Sequence, residues 1–239
     1  MNYCLIQVHT QTATFRNPEF QNFHKSFALP PPTTIVGLAG AALGLGAKEA
    51  QAFFEGKGFQ IGVKGTSQGK ANDLWKYRTL SSDPAKMTSV LTREILYKND
   101  FWIAFAHESS DVIEQLRTAF ETPQYAPVLG SSDSLAKLKV LANESFSASK
   151  SSDLSHCLVA GNAVEDALNA ALANQPFNFY LQYNDSMFYD LPTRFYYEAS
   201  GVRRVIERKP FTFIGSRMQL PTPVAGLTFE NHFIPLFSL

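Results

Sequence analysis

Residues 30–45, PPPTTIVGLAGAALGL, decide the fold of the N-terminal half of the chain. Three prolines hold the backbone extended and stop any earlier helix. A side-chain oxygen of Thr33 or Thr34 can then cap a new helix, which the pattern predicts over 34–45. The apolar residues that recur at helical spacing and predict a buried stripe are Ile35, Leu38, Ala42 and Leu43.

Three glycines in this stretch, Gly37, Gly40 and Gly44, share one face of the predicted helix. A glycine inside a helix costs about 1 kcal/mol relative to alanine, so three of them favour the close approach of another backbone. The start of the helix offers unpaired amide hydrogens, which suit a phosphate. A small-residue helix packed on a sheet explains the same pattern without a ligand, and the stretch alone favours that explanation.

Upstream of the prolines, residues 2–9 (NYCLIQVH) alternate polar and apolar side chains and predict a strand. Residues 10–29 then form a long polar loop rich in phenylalanine. In this loop Arg16 and Lys25 can meet phosphates while an aromatic ring stacks on a base. An equal alternative is that the phenylalanines only pin the loop to the core.

Downstream, periodicity predicts helices over 48–54 and 109–120, and strands over 59–64, 90–97, 101–107 and 135–141. The polar excursion at about 65–97 contains LWKYR (74–78), whose alternating cations and rings suit a single nucleic-acid strand, although Trp75 can equally anchor the excursion. Lys98-Asn99-Asp100 is predicted as a hairpin turn, and Asp111 with Glu114 as a capping box. The order strand, helix, strand, strand, helix, strand predicts an α+β fold with a ferredoxin-like βαββαβ unit.

The C-terminal part predicts a smaller β-rich extension over 146–239, after a first domain over 1–145. Its predicted elements are a helix over 163–173 capped by Asn162 and Glu165, strands over 177–183, 194–199, 202–209 and 211–214, a mobile serine-rich segment over 144–153, and an irregular tail after Gln219. The basic patch of Arg203, Arg204, Arg208 and Lys209 is diluted by glutamates and is interpreted as a solvated strand edge.

Composition limits the function. The 239 residues are 45% hydrophobic and carry a formal charge of zero, which suits a sizeable core and counts against non-specific duplex binding. Two cysteines and no signal peptide predict free thiols in the cytoplasm, and no apolar run has membrane-spanning length. Phosphate-loop, zinc and nucleophile-elbow motifs are missing and the histidines are scattered, so no cofactor or metal is expected. His24 beside Lys25, or Tyr77 with Lys76, can supply groups for metal-independent RNA cleavage.

Ala13-Thr14-Phe15-Arg16, the phenylalanine-containing loop and the PPPTTIVGLAGAALGL stretch together resemble the N-terminal signature of CRISPR-associated protein family five. The resemblance covers residues 1–45 well and 90–107 fairly. It implies the RRM/RAMP version of the ferredoxin-like fold, with the excursion as a thumb-like hairpin. It also implies a non-catalytic subunit of a type I Cascade, by overall pattern I-B-like, that acts in antiviral defence or RNA-guided DNA targeting. The implied partners are the 5′ handle of the CRISPR RNA, the large subunit and the first backbone subunit, with target DNA reached only through the complex.

Mapped onto this sequence, the resemblance implies a set of RNA contacts. They are Phe15, Arg16, Lys25, Thr33, Thr34, Gly37, Lys76, Arg78, Gly130 and Ser131. Ser132 stands where the family loop around Gly130 carries a basic residue. Two alternatives remain open: an endoribonuclease that processes precursor CRISPR RNA, a role of some family members whose active site this sequence does not match, and a ferredoxin-like scaffold that binds only protein.

Overall fold

A computed structural model of the chain describes residues 1–78, 88–141, 146–174, 186–199 and 201–239. The strands are β1 (Asn2–Ala13), β2 (Phe23–His24), β3 (Gln60–Arg78), β4 (Thr88–His107), β5 (Ala136–Val140), β6 (Phe146–Leu154), β7 (Leu158–Ala160), β8 (Met187–Tyr197), β9 (Arg203–Phe213), β10 (Met218–Phe229), β11 (His232–Pro235) and β12 (Phe237–Ser238). The helices are α1 (Pro32–Leu43), α2 (Ala47–Phe54), α3 (Ser110–Glu121) and α4 (Ala163–Asn174). None of these helices has the length and apolarity needed to cross a bilayer. The strand predicted over 177–183 lies outside the described residues.

The central sheet has the strand order β12-β3-β4-β1-β5, with neighbouring strands antiparallel, while β2 pairs with β4 in parallel. Because side chains alternate along a strand, each strand serves two cores. Ile6 and Ile103 face the helices, in one large cluster. Leu5 and Ala104 face the opposite side, where they pack against β10 and β11. The sheet is therefore covered on both faces over much of its area.

Helix α1 begins differently from the sequence prediction. Its N-cap is Pro31, with φ −69° and ψ 164°, and no side chain caps the helix, so the predicted threonine cap is wrong. A proline at the first helical position explains this, because its φ is already helical and it has no amide hydrogen to satisfy. Gly44 ends the helix with φ 76°. The predicted close approach holds for Gly40, where an added Cβ would lie 2.4 Å from the Cβ of Ala50 on α2, and for Gly44, where it would lie 2.9 Å from the Cγ of Gln124. It does not hold for Gly37, where an added Cβ would meet no atom within 4 Å.

The excursion is a direct extension of two sheet strands. β3 and β4 pair in a single register from Gln60↔Ala106 to Arg78↔Thr88, with Gln68 and Lys98 left unpaired, so the predicted turn at Lys98-Asn99-Asp100 is wrong. Only Lys98 leaves ordinary strand geometry, with φ 48°. The buried Asn99 side chain is held inside the sheet by the hydroxyl of Ser67, 2.6 Å away. Beyond the two β2 pairs, β4 pairs with β3 alone and forms the hairpin arm.

The N-termini of helices α3 and α4 are capped in different ways. Ser109, rather than the predicted Asp111–Glu114 box, caps α3 by accepting a hydrogen bond from the amide of Val112. The box predicted before α4 is confirmed: the amide of Glu165 donates to Asn162 Oδ1, and the Asn162 amide group donates to Glu165 Oε2. Ile113, Leu116 and Phe120 form the buried stripe of α3, as their spacing predicts.

The C-terminal part contains more strand than the sequence predicts. Residues 146–153 of the predicted serine-rich segment lie in β6, and residues 202–213 contain the single strand β9. The tail expected to be irregular contains most of β10, and β11 and β12. Pro221 and Pro223 fit within β10 because they lie in the register shift between Gln219 and Val224, where no ladder bond to β6 needs an amide hydrogen. β12 returns to the central sheet and pairs with β3.

Candidate nucleic-acid interface

The loop between β1 and α1 folds into a narrow hairpin that presents two cations. Arg16 and Ser26 form an isolated antiparallel bridge. The amide of Phe15 donates to Ser26 Oγ at 2.8 Å, and the amide of Phe27 donates to the Phe15 carbonyl at 2.8 Å. Arg16 is exposed and Lys25 is half-buried. Among the described residues, no carboxylate lies within salt-bridge distance of either cation.

The Phe15 ring lies in the core, which changes its predicted role. It is 2% exposed and makes an edge contact with Phe101, with ring centroids 5.9 Å apart. A ring so buried cannot stack on a base, so Phe15 anchors the loop that carries Arg16. Phe20 is the exposed phenylalanine of the loop, and Lys25 Nζ lies 5.2 Å from its ring centroid. No signal in the sequence distinguishes Phe20 from the other phenylalanines of the loop, because they differ in burial and not in composition.

Gly130 joins a second loop to the segment before Arg16. It has φ +87°, and an added Cβ would lie 1.7 Å from the carbonyl oxygen of Thr14. The amide of Thr14 also donates to the Leu129 carbonyl at 3.4 Å. The Ser131 hydroxyl donates to Asp133, so this predicted RNA contact is already used within the loop. Only a glycine permits this backbone contact, so Gly130 fixes the position of the segment that precedes Arg16.

A buried arginine links the second loop to the hairpin arm. Arg93 is 8% exposed, and its Nη2 donates to Asp73 Oδ2 at 2.8 Å and to Asp133 Oδ2 at 3.1 Å. We call these three residues the Arg93 cluster. The hydrogen bond from Ser131 and the positive charge of Arg93 lower the pKa of Asp133, against the opposing effect of burial. The cluster therefore fixes the orientation of β3 and β4 relative to the 130–134 loop.

Three aromatic side chains lie beside the Arg93 cluster. The rings of His24 and Trp75 are 5.9 Å apart, and those of Trp75 and Tyr77 stack at 5.3 Å with an interplanar angle of 25°. We call them the ring row. Trp75 is 38% exposed, and the guanidinium of Arg93 lies 5.6 Å from its ring centroid. The sequence gives no local signal for His24 beside Trp75, because the pairing of β2 with β4 creates this contact.

Lys76 and Arg78 lie on the other face of the hairpin arm. Alternation along β3 places Trp75 and Tyr77 with the ring row, and the two cations on the opposite face. That face also exposes Leu74 and, on the partner strand, Val90. The mixed pattern of cations and rings in the sequence is thus divided between two surfaces.

A cleft of about 500 Å³ adjoins Lys25 of the loop. We call it the central cleft. Its walls come from residues 25–29 of the loop, from residues 65–67, 69 and 70 of β3, from Leu96 of β4, and from His156, Met187, Tyr189 and residues 213–216 of the C-terminal part. Lys25 and Lys70 supply its positive charge, although Lys70 Nζ lies 3.5 Å from Glu94. Thr33 and Gly37 do not line this cleft but a separate pocket. Thr34, which follows Thr33 in α1, is half-buried.

The pKa of His24 depends in part on the positive charge of Arg16. Burial lowers it most, followed by the positive charges of Arg16 and Arg93. Since protonation is then harder in the folded state, His24 contributes stability that is lost as the pH falls below about 6.5, the usual pKa of histidine.

We expect Arg16→Ala to raise the pKa of His24 towards that value in an NMR titration of the histidine ring. Lys25→Ala is the control and leaves the pKa of His24 unchanged; an unchanged pKa in Arg16→Ala would contradict the placement of Arg16.

A family model described as CRISPR-associated protein (Cas_Cas5) matches residues 4–209. No curated protein sequence matches the chain. A solved chain described as a CRISPR RNA-guided surveillance complex is 13% identical, with 93% of this chain and 91% of that chain covered and a TM-score of 0.51, which shows a shared fold. A CRISPR protein from Archaeoglobus fulgidus is 11% identical over 100% of both chains, with a TM-score of 0.46. A Cas protein is 19% identical over 55% of this chain and 57% of that chain, with a TM-score of 0.37.

Proposed function

We propose an RNA-binding role in a CRISPR effector complex for this chain, which belongs to the CRISPR-associated Cas5 family. In this proposal the chain is the non-catalytic subunit of a type I Cascade that holds the 5′ handle of the CRISPR RNA and contacts the large subunit and the first backbone subunit. The fold shared with a chain of an RNA-guided surveillance complex supports this assignment.

We also propose that β1, α1, β3, β4, α3 and β5 form a ferredoxin-like RAMP unit. The strand order β3-β4-β1-β5 with antiparallel neighbours supports it, because a βαββαβ chain with two crossover helices gives this order. In this proposal the arm of β3 and β4 is the thumb.

The observation that carries the RNA-binding proposal is the meeting of three features at one place: two cations without a carboxylate partner in the described part of the chain, the exposed ring of Trp75, and a cleft. Arg16 and Lys25 project from the loop beside the ring row, and Lys25 also lines the central cleft. Single-stranded RNA is bound by cations at its phosphates and by rings stacked on unpaired bases. A chain of zero net charge can bind RNA in this way, because the positive charge is local.

Arg16→Ala is the direct test of this interface. We expect about a tenfold loss of affinity for a repeat-derived single-stranded RNA, equivalent to about 1.4 kcal/mol. We also expect the slope of log affinity against log salt to fall by about 0.7, which corresponds to one lost phosphate contact. Filter binding across a salt series measures both quantities.

Arg204→Ala is the matched control, because it makes the same change in net charge at a residue that belongs neither to the loop nor to the walls of the central cleft. Arg204 is already paired with Glu198. The control should leave the salt slope of wild-type protein unchanged. Equal affinity and equal slope in Arg16→Ala and wild type would remove Arg16 from the interface.

The absence of catalysis is part of the proposal and has its own test. The two residue pairs that could supply groups for RNA cleavage are poorly arranged: Lys76 and Tyr77 point to opposite faces of β3, and His24 is only 7% exposed. Pure protein incubated with repeat RNA and EDTA should leave the RNA intact while binding it. Specific cleavage under these conditions would establish the endoribonuclease alternative instead.

A further inference from the structure

A second pocket lies between α1, α2 and the two-stranded ribbon of β8 and β9. It has a volume of about 280 Å³ and shares no lining residue with the central cleft. We call it the ribbon pocket. Gly37 contributes from α1, Phe54 from α2, and Phe195, Tyr197 and Arg203 from the ribbon.

Hydrogen bonds fix the walls of the ribbon pocket against each other. The side-chain amide of Gln51 donates to the Phe195 carbonyl at 3.0 Å, and its oxygen accepts from the Phe195 amide at 2.8 Å. The Tyr197 hydroxyl donates to the Ala47 carbonyl at 3.2 Å. These bonds join the ribbon to α2, so the pocket is formed before any ligand arrives.

The pocket has an excess of positive charge. Two of its cations have carboxylate partners: Arg194 lies 2.6 Å from Glu55, and Lys209 lies 3.7 Å from Glu207. Arg203 has no carboxylate partner within the described ranges; its guanidinium carbon lies 4.8 Å from the Phe195 ring centroid. One cation, held over an aromatic ring, therefore remains for an anionic group.

The rest of the lining suits a flat apolar group. The side chains of Val36, Ala50, Phe54 and Tyr197 supply apolar surface. Gly37 has no side chain, and an added Cβ there would meet nothing within 4 Å, so the floor beside α1 is open. The volume lies just below the range of about 300–1,000 Å³ that is usual for ligand pockets, which favours a compact ligand.

We propose that the ribbon pocket binds one nucleotide, with its base in the apolar slot beside Gly37 and its phosphate at Arg203. A nucleotide combines the two features that the pocket requires, a planar ring and a single anionic group. It is either a free mononucleotide or one unstacked nucleotide of a bound RNA. The proposal goes beyond handle binding, because the ribbon pocket and the interface around Arg16 are built from different residues.

The test is calorimetric titration of the purified chain with adenosine 5′-monophosphate and uridine 5′-monophosphate, with inorganic phosphate in a parallel titration. At least one mononucleotide should bind, and more tightly than phosphate. Arg203→Ala should weaken that binding at least tenfold by removing the phosphate partner. Gly37→Leu should weaken it at least tenfold by filling the slot, and it should fold well because leucine is the better helix former.

Arg204→Ala is the matched control. Arg204 is the next residue on β9, points to the other face of the ribbon and pairs with Glu198 at 2.5 Å. It should bind the mononucleotide like wild type, and circular dichroism confirms folding of each variant.

Competition with repeat RNA separates the two sources of the nucleotide. If the RNA supplies it, saturating RNA abolishes mononucleotide binding; if a free nucleotide is the ligand, binding persists with RNA present. Three results would overturn the proposal: no mononucleotide binding up to about 5 mM, phosphate binding as tight as the mononucleotide, or wild-type binding in both Arg203→Ala and Gly37→Leu. Arg16→Ala should keep mononucleotide binding, so failure of the handle-binding proposal can be distinguished from failure of this one.

Discussion

Gly130→Ala should lower the free energy of unfolding by about 4 kcal/mol, the sum of backbone strain and steric overlap. Gly130 has φ +87°, which side-chain-bearing residues rarely adopt, and an added Cβ would lie 1.7 Å from the Thr14 carbonyl oxygen. The Thr14 carbonyl belongs to the backbone and cannot rotate away as a flexible side chain could. The 130–134 loop and the segment around Thr14 must therefore move apart. Urea unfolding followed by circular dichroism measures the loss. Affinity for repeat RNA should fall as well, because the segment before Arg16 moves.

Gly56→Ala separates the two causes of that loss. Gly56 has φ +67°, but an added Cβ would meet no atom within 4 Å. Its loss of stability should therefore be about 1 kcal/mol, from backbone conformation alone. If Gly130→Ala costs no more than Gly56→Ala, the contact between the 130–134 loop and Thr14 is not as the structure describes.

Arg93→Met should lower the free energy of unfolding by about 2 kcal/mol, while retaining most of the packing of the side-chain stem. The substitution removes charged hydrogen bonds from Arg93 to Asp73 and Asp133. The two carboxylates are partly exposed and can regain water, which keeps the loss below that of a fully buried ion pair. Denaturant unfolding measures the change.

Two further variants show whether the ion pairs cause that loss. Combining Arg93→Met with Asp73→Asn and Asp133→Asn removes the repulsion between the remaining carboxylates and should recover part of the stability. Arg217→Met breaks an equally short but exposed ion pair, 2.7 Å from Asp153, and should leave stability nearly unchanged. Equal losses in Arg93→Met and Arg217→Met would show that burial at Arg93 does not decide the effect.

Local signals predict the parts of the fold in which neighbouring residues decide the structure. The three prolines and the spacing of the apolar residues predict α1, and the Asn162–Glu165 pair predicts the start of α4. The same local signals fail where distant contacts override them. Lys98-Asn99-Asp100 is composed like a turn, yet Asn99 lies within a strand because Ser67, from β3, holds its side chain.

The candidate site is less predictable than the fold, because its residues come from separate parts of the sequence. Loop position and charge identify Arg16 and Lys25 as candidates. Only the tertiary structure brings Asp133 to Arg93 and His24 to Trp75. The alternation of β3 then separates cations from rings that the sequence places side by side.

The uninterrupted course of β4 has a mechanical consequence. Its 20 residues span about 65 Å at the usual rise of a strand, and they run from the arm to the edge of α3. Arg93 fixes this strand at one point along its length, through salt bridges to Asp73 and Asp133. A force applied to the arm is therefore passed through Arg93 and Asp133 to the 130–134 loop and, where Gly130 meets Thr14, to the segment that precedes Arg16.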